Sequence, residues 1–173
     1  MPQAPDSITI RLLTQADAPL YRQIRLEALA ANPEAFASTL ERERDMPVAW
    51  FEERLATSEV FGAFSEQKLV GFAGFRRQDG TKIAHKAVLW GMYVQPAARG
   101  VGVGKSLVEA VVAHAAARVE QLQLTVVSEN AGALRLYESA GFVAYGREVQ
   151  GLKQNGRYFD EILMTLFLAG KRQ

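Results

Sequence analysis

Apolar and polar positions recur along this chain at two periods, and each change of period marks a change of element. Ser7 to Leu13 sets Ile8, Ile10 and Leu12 against Ser7, Thr9, Arg11 and Leu13, the alternation of a strand with one buried face. From Thr14, read as an N-cap with Asp17 three residues on, the period lengthens. Leu20, Ile24, Ala28 and Ala31 form a helical stripe, which Asn32-Pro33 ends because the residue before proline disfavours the helical region. Pro33 to Asp45 reads as a loop, and Pro47 suits the first turn of a second helix through about Ala56. Val60 to Phe64 and Leu69 to Phe75 read as strands joined by a hairpin turn at Ser65 to Lys68. After a turn at Asp79-Gly80, a long apolar strand starts near Ile83 and ends at Val94.

Beyond Gly104 the helical period returns, with Leu107, Val108, Val111, Val112 and Ala115 on one face. Leu122 to Ser128 is strand-like again, and a helix between two strands implies a parallel, right-handed crossover. Ala131 to Ala140 is a short helix stopped by Gly141. Phe142 to Val149 and Arg157 to Phe167 close the chain as a hairpin around Gly151 to Gly156. The pattern predicts an α/β fold, a mixed sheet with helices on both faces.

The stretch between the central strand and its helix carries the first chemistry. Arg99-Gly100-Val101-Gly102-Val103-Gly104-Lys105 leads glycines into a helix N-terminus, where unpaired N–H groups and the helix dipole favour an anion. A nucleotide P-loop needs glycine five residues before Gly104, and that position is Arg99. A dinucleotide fingerprint needs glycine where Leu107 or Lys105 stands. ATP and NAD are therefore disfavoured, and Arg-x-x-Gly-x-Gly is the spacing that remains.

Composition narrows the picture further. With 173 residues, 49% of them hydrophobic, the chain suits one domain over 1–173. Lys and Arg number 20 against 19 acids, so nothing favours nucleic acid as a partner. There is no cysteine, which excludes disulfides, thiolate metal sites and a covalent cysteine route; no metal is expected. No apolar run approaches the roughly 18 residues that span a bilayer, and a cytoplasmic protein with no membrane partner is expected.

Arg99, Gly102 and Gly104, placed between a strand and a helix, resemble the pyrophosphate loop of the GCN5-related N-acetyltransferases. The second half of the resemblance lies in Val126 to Phe142, where Asn130, Ala133, Leu136, Tyr137, Gly141 and Phe142 match the family's order of strand end, helix and terminal Gly-Phe. The opening I-R-L-L-T-x-x-D and the closing Y-F-D-E-I-L-M-T-L also look like one branch of it. The resemblance implies two central parallel strands that splay apart, with acetyl-CoA as donor. Met92, Tyr93, Val94, Arg99, Gly100, Val101, Gly102, Val103, Gly104, Lys105, Asn130, Ala133 and Tyr137 would bind it.

By the same resemblance the enzyme moves an acetyl group directly from the thioester to a primary amine, aided by a backbone oxyanion site. Tyr137 would be the general acid, since a thiolate of pKa about 8.5 and a phenol of about 10 permit proton transfer if the site shifts either value. For the base, His85 and Glu27 rank first, ahead of Glu129, because family architecture puts the first helix and the early central strand beside the acceptor. The acceptor itself stays open between a small molecule and a peptide or protein amine. A homodimer through the final hairpin is possible. The competing reading is a non-catalytic acyl-CoA-binding sensor, which would bind the thioester without consuming it.

Overall fold

The computed structural model describes residues 7–168. Seven strands form one sheet: β1 Ile8–Leu12, β2 Glu59–Ser65, β3 Lys68–Arg77, β4 Lys86–Val94, β5 Gln121–Val127, β6 Val143–Gln154 and β7 Arg157–Phe167, in the order β1-β2-β3-β4-β5-β7-β6. Every pairing is antiparallel except β4 with β5. The helices are α1 Ala18–Ala31, α2 Leu40–Glu43, α3 Val48–Thr57, α4 Val103–Ala116 and α5 Ala131–Ser139.

Strand alternation sorts the apolar residues onto two faces and so builds two cores. Phe61, Ala63, Leu122, Leu124 and Val126 pack with Leu107, Val108 and Val111 of α4. Val60, Phe64 and Phe72 pack on the other face with Tyr21, Ile24 and Ala28 of α1 and Phe51 and Leu55 of α3. Helices thus lie on both faces, as the pattern predicts.

Three boundaries differ from the sequence reading. Leu40–Glu43, inside the expected loop, is a helical turn whose N-cap Thr39 accepts from Arg42 N at 3.2 Å. β4 begins at Lys86 rather than near Ile83, because Ile83 and Ala84 both donate to the Gly80 carbonyl in a turn. β6 runs on to Gln154, through a bulge between Glu148 and Leu152, and the hairpin closes at Asn155-Gly156. Both turn residues have positive φ, 49° and 78°, the conformation of a tight hairpin turn that an Asn-Gly pair supplies.

The relationship that positions the site is the parting of the two parallel strands. β4 pairs with β5 only at Lys86–Val88 against Gln121–Gln123, whereas β5 stays paired with β7 over its whole length. On its other side β4 carries a bulge: Trp90 lies opposite Gly74 and Tyr93 opposite Phe72, leaving one extra residue on β4. Gly91 has φ +64° there, a conformation open to glycine that bends the strand away from its neighbour. Gly74 serves the same bend, since a side chain at that position would collide with the Trp90 indole.

Candidate active site

The glycine stretch forms the turn into α4. Gly100 and Gly102 take φ of 80° and 89°, and Gly102 caps the helix. A Cβ added at either glycine would meet nothing within 4 Å, so the loop is bare backbone on its outer side. Ser106 N donates to Gly102 O at 2.9 Å, which leaves the amides of Val103, Gly104 and Lys105 as the leading donors of the helix. Gly104 makes the junction with the sheet, where a Cβ would stand 3.4 Å from Met92 Cε and 3.3 Å from Leu136 Cδ2.

A second helix N-terminus opens into the same space. Asn130 caps α5 by accepting from Ala133 N at 3.1 Å. Asn130, Ala133, Gly102 and Gly104 share a cavity of about 690 Å³ with Met92, Tyr93 and Val94 at the end of β4. Two helix dipoles therefore direct partial positive charge at one concave surface.

Between the parted strands lies a narrower cavity of about 110 Å³, walled by Leu89 to Met92 of β4 and Leu124 to Val127 of β5. Tyr137 closes it from α5, buried edge-on against Phe142 with ring centroids 5.9 Å apart. Burial pushes the Tyr137 phenol above its ordinary value. Beyond Val88 the edge of β4 that faces β5 has no ladder partner, so polar backbone there is free to bind an extended group.

The two cations flanking the loop both line the larger cavity. Arg99 donates from Nε to Val94 O at 2.9 Å and lies 5.8 Å from the Tyr93 ring centre. Lys105 is exposed and stands 3.8 Å from Glu109 one turn along the helix. Val101 is also exposed.

Glu27 is brought to the end of β4, where Oε1 accepts from the Tyr93 hydroxyl at 2.9 Å and Oε2 from Gln95 Nε2 at 2.8 Å. His85 is not brought to the site. It is exposed in the turn before β4, its carbonyl accepting from Glu120 N and Gln121 N. Because pairing at Lys86–Val88 holds the strands together at that end, the gap opens at the opposite end of β4. Met92 lies seven residues further on, roughly 20 Å along the strand. His85 therefore lies away from the gap between the strands. Glu129, ranked below these two, forms an exposed ion pair with Arg157 at 2.7 Å.

Two features of the site went unread in the sequence. Gly91 within an apolar run is the ordinary signal of a bulge. Asn32, Ala35 and Phe36, from the stretch read as a plain loop, wall the larger cavity, and no local pattern announces that.

The fold is thus a mixed sheet whose central parallel pair opens beside a glycine-capped helix N-terminus. Residues 22–142 match the acetyltransferase (GNAT) family, and the chain belongs to it. Mycothiol acetyltransferase from Brachybacterium faecium is 29% identical over 136 residues, 78% of this chain and 40% of that protein. This chain spans 40% to 50% of the length of such relatives. An L-methionine sulfoximine/L-methionine sulfone acetyltransferase from Salmonella typhimurium is 28% identical, over 93% of this chain and 95% of its own. The fold matches the acetyltransferase yncA from Salmonella typhimurium, solved with its cofactor acetyl-CoA, at TM-score 0.81 and 24% identity, over 96% and 97% of the two chains.

Proposed function

We propose that this chain binds acetyl-CoA and transfers its acetyl group directly to the primary amine of a small molecule. The observation that carries the proposal is the parting of β4 from β5 after Val88, beside the Gly100 to Gly104 loop. The amides of Val103, Gly104 and Lys105 would take the pyrophosphate. Asn130 and Ala133 would border the arm, which would lie along Met92, Tyr93 and Val94 like an added strand. Acetyl-CoA supplies an activated thioester carbonyl. A backbone N–H of the β4 edge would stabilise negative charge on its oxygen as the amine attacks.

In the reaction a nitrogen–carbon bond forms and the carbon–sulfur bond breaks; one proton leaves the amine and one reaches sulfur. Tyr137 fits the second transfer. Its raised pKa keeps the phenol protonated across the neutral range, and it lines the gap between the strands. For the first transfer we propose Glu27, whose carboxylate is held at the end of β4 by Tyr93 and Gln95. Peptide amines form the second acceptor class. The proposal includes a cytoplasmic setting, and a homodimer would form through the exposed Val143, Tyr145 and Val149 of β6.

Thermal unfolding with acetyl-CoA, CoA, ATP and NAD in parallel tests the binding. A ligand at 100 times its dissociation constant stabilises by about 2.7 kcal/mol, a rise of about 5 to 11 °C in a domain of this size. The expected result is a rise with acetyl-CoA and CoA alone; a rise with ATP or NAD instead removes the proposal. Free thiol released on adding an amine then separates a transferase from a binding module. Tyr137→Phe is expected to slow transfer while leaving acetyl-CoA affinity nearly unchanged.

A further inference from the structure

Beside the bulge of β4 stands a buried guanidinium that the reaction outlined above leaves unused. Arg25 of α1 is 4% exposed. It binds Glu43 of α2 bidentately, Nε to Oε2 at 3.0 Å and Nη2 to Oε1 at 2.9 Å. A guanidinium has five N–H donors in a fixed fork; one on Nη2 and both on Nη1 remain, and Nη1 makes no hydrogen bond among the described residues. A Cβ added at Gly91 would stand 3.6 Å from Nη1, which places the free donors against the residue that bends β4 away from β5. Gly91 itself walls the gap between the strands. Over the guanidinium lies the Phe36 ring, its centre 5.3 Å from Cζ, and Phe36 walls the larger cavity.

The Tyr21 hydroxyl is the one fully buried side-chain polar atom without a partner among the described residues, so the unbonded Nη1 donors are open to solvent and to an arriving ligand. An anionic oxygen is their natural partner, and carboxylate matches guanidinium geometry better than any other common group. Because Glu43 already neutralises Arg25, a carboxylate added alone would leave the spot with a net negative charge. A zwitterion restores the balance, its ammonium offsetting its own carboxylate. In an α-amino acid those two groups are adjacent, so a carboxylate on Nη1 holds the amine within a few ångströms of the gap.

Resting on the acetyltransferase reading, we propose that Arg25 Nη1 binds the acceptor's carboxylate, and that the acceptor is an α-amino acid acetylated on its α-amine. A side-chain amine several carbons away is held out of reach by the same anchor. Arg25 thus determines specificity as well as tying α1 to α2.

The test compares L-methionine sulfone and the common L-amino acids with decarboxylated counterparts, above all 3-(methylsulfonyl)propan-1-amine, which is the sulfone without its carboxylate. The expected result is a kcat/KM at least about a hundredfold higher for the carboxylated member, as befits a site built to hydrogen-bond the missing group. L-Lysine is expected to be acetylated on Nα. Arg25→Lys, which keeps the charge and loses the fork, is expected to reduce the preference to less than tenfold. A paired Arg25→Met, Glu43→Leu variant, which leaves no charge unpaired, is expected to abolish it while the midpoint rise with acetyl-CoA persists. Equal rates with and without the carboxylate, no acetylation of any amino acid by a protein that binds acetyl-CoA, or an undiminished preference in both variants would overturn the inference. Failure of the wild-type protein to bind acetyl-CoA would instead bring down the acetyltransferase reading beneath it.

Discussion

The Tyr93 hydroxyl donates to Glu27 Oε1 at 2.9 Å, tying the first helix to the last turn of the bulged central strand. Burial and the bond to Glu27 push the Tyr93 phenol up to about 12. That value lies above the ordinary 10, so the contact's stabilisation is complete below pH 10 and is lost as pH rises through 12. Glu27 in turn has each oxygen held by one donor, with lone pairs left over on both.

Glu27→Gln is expected to lower kcat by a factor of about 10² to 10⁴, the usual contribution of a general base. Acetyl-CoA affinity should be unchanged, because Glu27 does not line the cavity shared by the two helix N-termini. Steady-state kinetics with the acceptor amine would show it, and a kcat identical to wild type would transfer the role elsewhere.

The Arg25–Glu43 pair makes a stability prediction separate from its proposed part in recognition. Glu43 is 1% exposed; burial works against its ionisation, but Arg25 outweighs that and holds its carboxyl below the usual range. Glu43→Ala strands a buried cation, at a cost of about 3 to 5 kcal/mol. Urea denaturation is expected to show the loss as a lower midpoint with an unchanged slope.

Asp17 sets an acid limit on the fold. Its carboxylate accepts from Arg11 Nη1 and Nη2, both at 2.8 Å, and from Thr14 N at 2.8 Å. The Arg11 hydrogen bonds, chief among several causes, lower its pKa from 3.8 to about 2. The stabilisation is therefore complete above pH 3.8 and is lost as pH falls through 2. Asp17→Asn should cost about 1 to 2 kcal/mol at neutral pH, allowing for the solvent around half-exposed Arg11. The gap between variant and wild type should close on titrating to pH 2, as followed by circular dichroism.

Gly102 caps α4 at φ +89° with open space where a side chain would go. Gly102→Ala is therefore a test of backbone conformation rather than of packing. It should cost about 1 to 2 kcal/mol, or about 2 to 8 °C in midpoint. Acetyl-CoA binding should weaken about tenfold or more as the leading amides move, which isothermal titration would read directly.

How much of this was legible in the chain depends on whether a feature is local. The strand of Ala87 to Val94, the glycines before Lys105 and the Asn130 cap each lie within a few consecutive residues, and their geometry follows from backbone sterics and hydrogen bonding over that span. Alternation along β2 places Phe61 and Ala63 on the face opposite Val60 and Phe64. His85 lies at the paired end because β4 meets β5 only through Lys86 to Val88, a register that the residues of the strand do not themselves specify.

The chain by itself determined the elements, the glycine turn into α4 and the family, because these rest on periods, caps and spacings that neighbouring residues enforce on one another. Only the tertiary structure decided at which residue the strands part, that Glu27 reaches Tyr93 and Gln95, and that Arg25, Glu43 and Gly91 meet. Those residues lie 18 and 48 positions apart in sequence, on α1, α2 and β4. Their meeting is a product of packing the two helices on one face of the sheet, which no local pattern encodes.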